Sequence, residues 1–416
     1  MLTPHEASAR ILEDALPLPA ERISTSDSVG RVCAEEIVAG VTIPPWNNAS
    51  MDGYAVRAKD VAKASDAEPV RLPVVAEIPA GQFPPRALAP GEAMRIMTGA
   101  PVPEGADSVI RIEDTDRGTQ LVNIRDARDV ARNVRPLGED FRKGETLLSA
   151  GTAISPATLG VLMSAGVRDV IVHRRPKVGV LGSGDELVMV EQFAEVQAGR
   201  RIVSTNSYTL PALVRDAGGM PVDLGIAKDT PESLREKLAG AAGCDLIITS
   251  AGVSVGDHDH TRSVFAEMGG KEKFWKVKIR PGAPLAFGSL NGAPWVGLSG
   301  NPVSAVVTFE LFVRPLIRRM LGHTLLFRRP IIATVEEDVR ISADLIHFYR
   351  AVILRNADGA YTARLTRSQS SGSLSSLAAA NALLIVPPEK KEYPRGSVLK
   401  ALPLSDYPFE LKELAL

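Results

Sequence analysis

Two acids alternate with two histidines at Asp257-His258-Asp259-His260, directly after the run "DLIITSAGVSVG". A His-x-His pair flanked by carboxylates can ligate a transition metal. The remaining histidines, His5, His173, His323 and His347, stand isolated, and the two cysteines, Cys33 and Cys244, are far apart. A zinc site would therefore need ligands from distant positions. The acids have a simpler use, because carboxylates at a helix start complement its partial positive charge and accept from its free N–H groups. One carboxylate also suits Mg²⁺, which takes one or two carboxylates together with ligand phosphates.

Three glycine-rich segments offer the complementary chemistry. "VGVLGSGDELV" carries Gly182, Ser183, Gly184, Asp185 and Glu186. "TSAGVSVGD" carries Ser250, Gly252, Ser254 and Gly256, and "WVGLSGNPVSAVV" carries Gly297, Gly300, Asn301 and Pro302. Bare N–H groups at a helix start attract phosphate or carboxylate. In the third segment Asn301 suits a cap and Pro302 the first helical position. Any one segment also reads as a tight turn, but three at one sheet edge favour an anion site. None matches the dinucleotide fingerprint or the G-x-x-x-x-G-K-[ST] loop, which argues against a Rossmann dehydrogenase and a P-loop ATPase. Further polar residues are Asp52 in "ASMDGYAV", Thr98 in "MRIMTGAPVP", Arg135, Glu139 and Asp140 in "RPLGED", and Asp229 in "AKDTPESL". In "FWKVKIRPG" the alternation of Lys276, Lys278 and Arg280 places three cations on one strand face. Each alone reads as surface charge or cap. Together they imply a polyanionic small molecule and a divalent cation.

These residues need a frame. From about Lys177 apolar strands alternate with helical stretches, so βαβ units and a mostly parallel sheet are expected, with ligands outside the C-terminal strand ends. Residues 44–103 hold short β-prone runs broken by Pro and Gly and read as a β-rich domain. Ser155 and Pro156 open a short helix, which is expected to form a linking subdomain with the amphipathic N-terminal helix. Beyond Pro330 the chain returns to β-type runs. The resulting division is 1–43 with 141–174 (linking), 44–140 (β-rich insertion), 175–326 (α/β) and 327–416 (C-terminal β-rich).

With 416 residues, 45% of them apolar, the chain is long enough for several packed cores. The 48 basic and 49 acidic side chains nearly cancel, which argues against nucleic acid as a partner. No apolar run approaches the roughly 20 residues of a membrane span. Scarce cysteine fits a reducing cytoplasm.

The motifs, in order, resemble those of the molybdopterin molybdenumtransferase family (the MoeA type, which includes the E domain of gephyrin). The matching pieces include "NNASMDGYAV", "RIMTGAPVPEGADSVIRIED", "NVRPLGEDFRKGE", "KVGVLGSGDELV", "DLIITSAGVSVGDHDHT", "FWKVKIRPG" and "GLSGNPVSAVVTFELFVRPLI", and they cover essentially the whole chain. The resemblance implies a linking subdomain, an inserted β domain, a molybdopterin-binding α/β domain and a C-terminal β-barrel, assembled as a homodimer. It implies a site between the α/β domain of one subunit and the β-rich domain of the other. The implied reaction inserts molybdate into adenylylated molybdopterin with Mg²⁺ and releases AMP. The adenylylating enzyme and acceptor molybdoenzymes are implied partners. The family's functional positions fall on Asp52, Thr98, Arg135, Asp140, Glu186, Asp229, Asp259, Lys276 and Arg280, with Glu186 and Asp259 as metal ligands. The family's usual "KPGKP" stands here as "RPGAP", so Arg280 and Ala283 replace basic residues of another shape or none. The alternative reading is a paralogue that binds molybdopterin or cofactor without turnover, or one that handles tungstate.

Overall fold

The structure, a computed structural model, describes residues 1–13, 15–252 and 261–405. Its central six-stranded sheet runs Met220–Ala227, Lys177–Ser183, Leu246–Ser250, Ala293–Leu298, Pro284–Leu290, Lys271–Lys276. The first four strands are parallel, Pro284–Leu290 runs against them, and Lys271–Lys276 pairs antiparallel to Pro284–Leu290. Lys177–Ser183 is buried at every position after Lys177, as a strand covered on both faces must be. Helix Asn206–Asp216 packs beside it with Leu210 and Val214 fully buried, and Pro231–Ala239 with Leu234 and Leu238 buried packs against the same sheet.

Register lines up the strand ends. Gly182 pairs with Ser250, Ser250 with Leu298, and Ser183 with Ala227. The three glycine-rich segments therefore leave the sheet at one level and on one edge.

Residues after Pro330 form a closed five-stranded barrel. Ile346–Arg355 pairs with Tyr361–Leu365, then Ile331–Val335, Val398–Pro403 and Ala382–Val386, which returns to Ile346–Arg355. Closure removes exposed strand edges. A sixth short strand, Ile279–Arg280, reaches over from the α/β unit and pairs in parallel with Ile346 and His347. The expected single strand carrying Lys276, Lys278 and Arg280 is thus two strands. The cation face survives in burial alone, with Val277 and Ile279 buried between exposed cations.

The inserted unit has a five-stranded sheet, Ser108–Arg111, Gly53–Val56, Ala93–Ile96, Val70–Ile78, Leu121–Ile124. A short pair, Asn48–Ala49 with Val134–Arg135, flanks it. In the linking region Ala20–Ser24 pairs with Asp169–His173 and Ile37–Val38 with Thr146–Leu148. Helix Pro156–Ser164 opens as its sequence predicts: Ser155 caps it by accepting from the Thr158 N–H, and Pro156 follows. The N-terminal helix Pro4–Glu13 corrects the expectation that it joins this unit. Its Ala7 and Ile11 lie in the core of the α/β unit, against Phe309–Val313 and Arg314–Met320. Leu2 also bridges Val277 there.

Candidate active site

A cavity of about 870 Å³ opens where the three loops leave the sheet. Ser183 and Glu186 line it from the first loop, Ser250 and Gly252 from the second, and Gly300, Asn301 and Pro302 from the third. Arg280 enters from the strand shared with the barrel, and Ser371 and Gly372 close it from the barrel side. The cleft is therefore interdomain. No carboxylate pairs Arg280 among the described residues. An unpaired guanidinium beside backbone loops is suited to an oxyanion.

Local geometry explains the loop sequences. At Gly184, φ is +149°, and a Cβ would lie 2.7 Å from the Glu186 carboxylate, so only glycine lets Glu186 fold back over the loop. Asp229, at the end of the neighbouring strand, accepts from Ser183 Oγ at 3.0 Å and from the Asp185 N–H at 3.2 Å. It therefore buttresses the first loop from behind. In the second loop Ala251 has φ +82°, a region that L-residues with a Cβ rarely occupy. Its N–H donates to Leu298 O at 3.0 Å, locking the second loop to the third. Asn301 occupies the cap position with Pro302 after it, but its side chain makes no capping bond. That corrects the expected cap, and the first available N–H of the helix, that of Val303, donates instead to Ser371 O of the barrel loop at 3.1 Å.

Several predicted residues are not at this cleft. Asp185 and Asp229 stand behind the first loop, while Lys276 and Lys278 lie outside the lining. Gly182 sits inside the strand, and Gly184 shapes the loop without lining the cavity. Asp257, His258, Asp259 and His260 lie outside the described residues, as do Ser254 and Gly256.

Asp52, Thr98, Arg135 and Asp140 form a second group, on the inserted unit. The Thr98 N–H and Oγ1 both donate to Asp52 Oδ1 at 2.7 Å, and these two bonds hold the Asp52 carboxyl below its ordinary range. Asn48 pairs with Arg135 and bridges Pro101, which brings Arg135 to the same end of the sheet. Arg135 contacts Glu139 at 3.0 Å, an exposed pair of little energetic weight. The Asp140 N–H donates to Ile43 O and its carboxylate is exposed. None of the four lines the cleft.

Two buried residues escaped sequence reasoning. Asn206 Nδ2 donates to Ser250 Oγ at 2.7 Å and to Gly300 O at 2.9 Å, tying the second and third loops together. Arg350 is fully buried and donates through Nη2 to Ser368 O and Ser370 O, holding the barrel loop that reaches the cleft. A charge inside the apolar run "HFYRAVIL" was the available signal.

A molybdopterin-binding type of α/β domain, joined to an inserted β unit and a closed barrel, is the class that this fold and cleft define. Residues 2–166 match the family model described as the MoeA N-terminal region (domain I and II), and 333–404 that of the MoeA C-terminal region (domain IV). Residues 179–319 match a probable molybdopterin binding domain. The chain belongs to the MoeA family, the molybdopterin molybdenumtransferases of molybdenum cofactor biosynthesis. It is 34% identical to the molybdopterin molybdenumtransferase of Haemophilus influenzae, over 97% of this chain and 99% of that one. It is 38% identical to that of a Nostoc species, over 86% of this chain and 83% of the relative. A crystal structure of the molybdopterin biosynthesis moeA protein from Pyrococcus horikoshii OT3 superposes with a TM-score of 0.81 at 30% identity, covering 97% of this chain and all of that one.

Proposed function

We propose that the protein inserts molybdate into adenylylated molybdopterin, with Mg²⁺-assisted cleavage of the phosphoanhydride and release of AMP. The observation that carries this reading is the interdomain cleft itself: three backbone loops and the unpaired Arg280 face one cavity. Adenylylated molybdopterin brings phosphates for the loops, and molybdate is a second oxyanion for Arg280. The binding residues proposed are Ser183, Ser250, Gly252, Ser254, Gly256 and Gly300 to Pro302, with Gly182, Gly184 and Asp185 shaping the first loop from behind the lining. Lys276 adds positive charge nearby.

The donor set fits magnesium. Among the described residues no thiol or imidazole lines the cleft, and Glu186 offers a carboxylate without a protein partner. Glu186 and Asp259 would hold the ion, which when bound neutralises phosphate charge. Asp52, Thr98, Arg135 and Asp140 complete the site from a second subunit of a homodimer, because within one chain they do not line the cleft.

A cytoplasmic setting belongs to the same proposal. Cys33 and Cys244 are free thiols, and no helix among the described residues is long and apolar enough to cross a membrane. The adenylylating enzyme upstream and acceptor molybdoenzymes downstream are the proposed partners.

The test supplies adenylylated molybdopterin, molybdate and Mg²⁺ and follows AMP. Molybdate-dependent release supports transfer. Tight binding without AMP at any molybdate level overturns it and leaves a binding paralogue, for which Arg280 and Ala283 are the candidate cause. Asp259→Ala abolishes release, whereas replacing His258 and His260 by Ala changes it little.

A further inference from the structure

The described cleft offers no aromatic surface to one part of the proposed substrate. Adenylylated molybdopterin carries a purine, a flat apolar ring with polar edges that proteins hold by stacking on aromatic side chains. Every described lining residue of the cleft is aliphatic, small or polar, and none is Phe, Tyr or Trp. Among the described residues, any aromatic surface for the purine therefore lies outside the cleft.

The inserted unit presents one. The Trp46 and Phe83 rings meet edge to face, with centroids 4.9 Å apart at 69°. Phe83 is 65% exposed and Trp46 half-buried, so the pair offers an aromatic corner to solvent. Apolar ring surface left in water is stabilised by covering it, and this ring is largely uncovered. The neighbourhood connects this corner to the second group of predicted residues. Trp46 precedes Asn47, whose carbonyl accepts from the Val102 N–H at 2.9 Å and whose Oδ1 accepts from the Leu137 N–H at 2.8 Å. Asn48 then pairs with Arg135. The strand Val70–Ile78 ends beside Met97, whose N–H donates to Ile78 O, so the loop bearing Phe83 departs next to Thr98. Aromatic corner, Thr98–Asp52 pair and Arg135 thus share one end of the inserted unit.

We propose that Trp46 and Phe83 form the stacking platform for the adenine ring of the nucleotide that leaves. This rests on the adenylylated-substrate reading and deepens it. The platform holds the base, Arg135 stands near for the nucleotide's phosphate, and the pterin and its phosphate remain in the cleft.

The test titrates full-length protein with AMP in Mg²⁺, reading tryptophan fluorescence and calorimetric affinity. AMP quenches the wild type, while ribose 5-phosphate and a simple pterin do not. Phe83→Ala, at an exposed position, weakens AMP about tenfold, in the range set by loss of one stacked base. Trp46→Phe keeps the affinity but removes the quenching. The proposal is overturned by AMP affinity unchanged in Phe83→Ala, by quenching that persists in Trp46→Phe, or by ribose 5-phosphate binding as tightly as AMP. It is also overturned if the pterin, not AMP, depends on the pair. The two readings fail separately. AMP bound through the pair in a protein that releases none removes the transfer reaction and keeps the platform. Molybdate-dependent release with Phe83→Ala affinity at the wild-type level removes the platform alone.

Discussion

At the scale of single residues, the close approach of Gly300 to Ala251 is one of the constraints on the spacing of the second and third loops. A Cβ at Gly300 would lie 3.2 Å from the Ala251 methyl, tighter than ordinary packing. Ala251 itself carries a φ of +82°, which costs a residue with a Cβ about 1–2 kcal/mol. Two substitutions are therefore coupled. Ala251→Gly relieves the backbone and raises the thermal midpoint by a few degrees, with AMP release retained. Gly300→Ala pushes the loops apart and lowers molybdate-dependent release about tenfold. The double variant recovers much of that loss, because the opposing methyl is gone. Equal losses in Gly300→Ala and in the double variant would mean that this contact does not set the loop spacing. Thr98 invites a similar argument. Its Oγ1 is one of two donors that hold the Asp52 carboxyl low. Thr98→Val leaves only the backbone donor, so Asp52 protonates at a higher pH. A carboxylate with a lowered value acts as an anion down to that value, so the acid limb of the AMP-release profile moves upward in this variant. An unmoved limb would show that Asp52 ionisation does not control the rate.

At the scale of elements, the long helical stretch after the third loop carries an electrostatic load. Pro302–Thr308 runs through a π-helical turn, Phe309–Val313, into Arg314–Met320. His323 follows this last helix, where a charged imidazole would ordinarily be welcome. Here burial, then Arg318 and Arg314, push it down to about 4. The ring accepts or shares a hydrogen bond with Arg318 Nη2 at 3.2 Å, which suits a neutral imidazole. The unfolded chain binds this proton near pH 6.5 and the folded one only near 4. Stability is therefore intact above pH 6.5 and lost progressively as pH falls toward 4, by roughly 3 kcal/mol for that span. His323→Gln keeps an acceptor for Arg318 and flattens the fall in thermal midpoint between pH 7.5 and 5. Parallel pH profiles for the two proteins would refute the assignment. This load was not legible in the sequence, where His323 stands as an isolated histidine and nothing local reports its burial beside Arg318 and Arg314. The strand–helix alternation from Lys177 was legible, since two-sided burial leaves near-continuous apolar runs such as "DLIIT". The Ser155 cap was legible because its signal is local. The placement of Pro4–Glu13 was not, because an amphipathic stripe states that a helix packs and leaves open what it packs on.

At the scale of the whole molecule, the sequence singled out two groups of residues, one of which lines the cleft while the other lies apart from it on the inserted unit. The glycine loops could be placed at strand ends because their spacing follows the βαβ pattern, whereas Arg280 changes sheets through a two-residue strand that no periodicity signals. Asn206 and Arg350 are buried polar groups whose partners, Ser250, Gly300, Ser368 and Ser370, lie far along the chain or in another loop, and only Arg350 carries a sequence signal. The separation of Asp52 from Arg280 leads to a prediction about assembly. If the cleft of one subunit meets the Asp52 surface of another, a chain with Asp52→Asn and a chain with Arg280→Ala damage opposite sides of every site. Each homodimer alone is inactive. In a mixed dimer one site carries both lesions and the other carries neither. Random reassociation of equal amounts makes half of all dimers mixed, each with one intact site of two, so about a quarter of wild-type AMP release returns. If both residues served a cleft within the same chain, mixing would restore nothing. Subunit exchange by mild denaturation and refolding, with a mock-treated wild type as reference, measures which of these holds. A recovery near one quarter that appears only after exchange places the two halves of the site on different subunits.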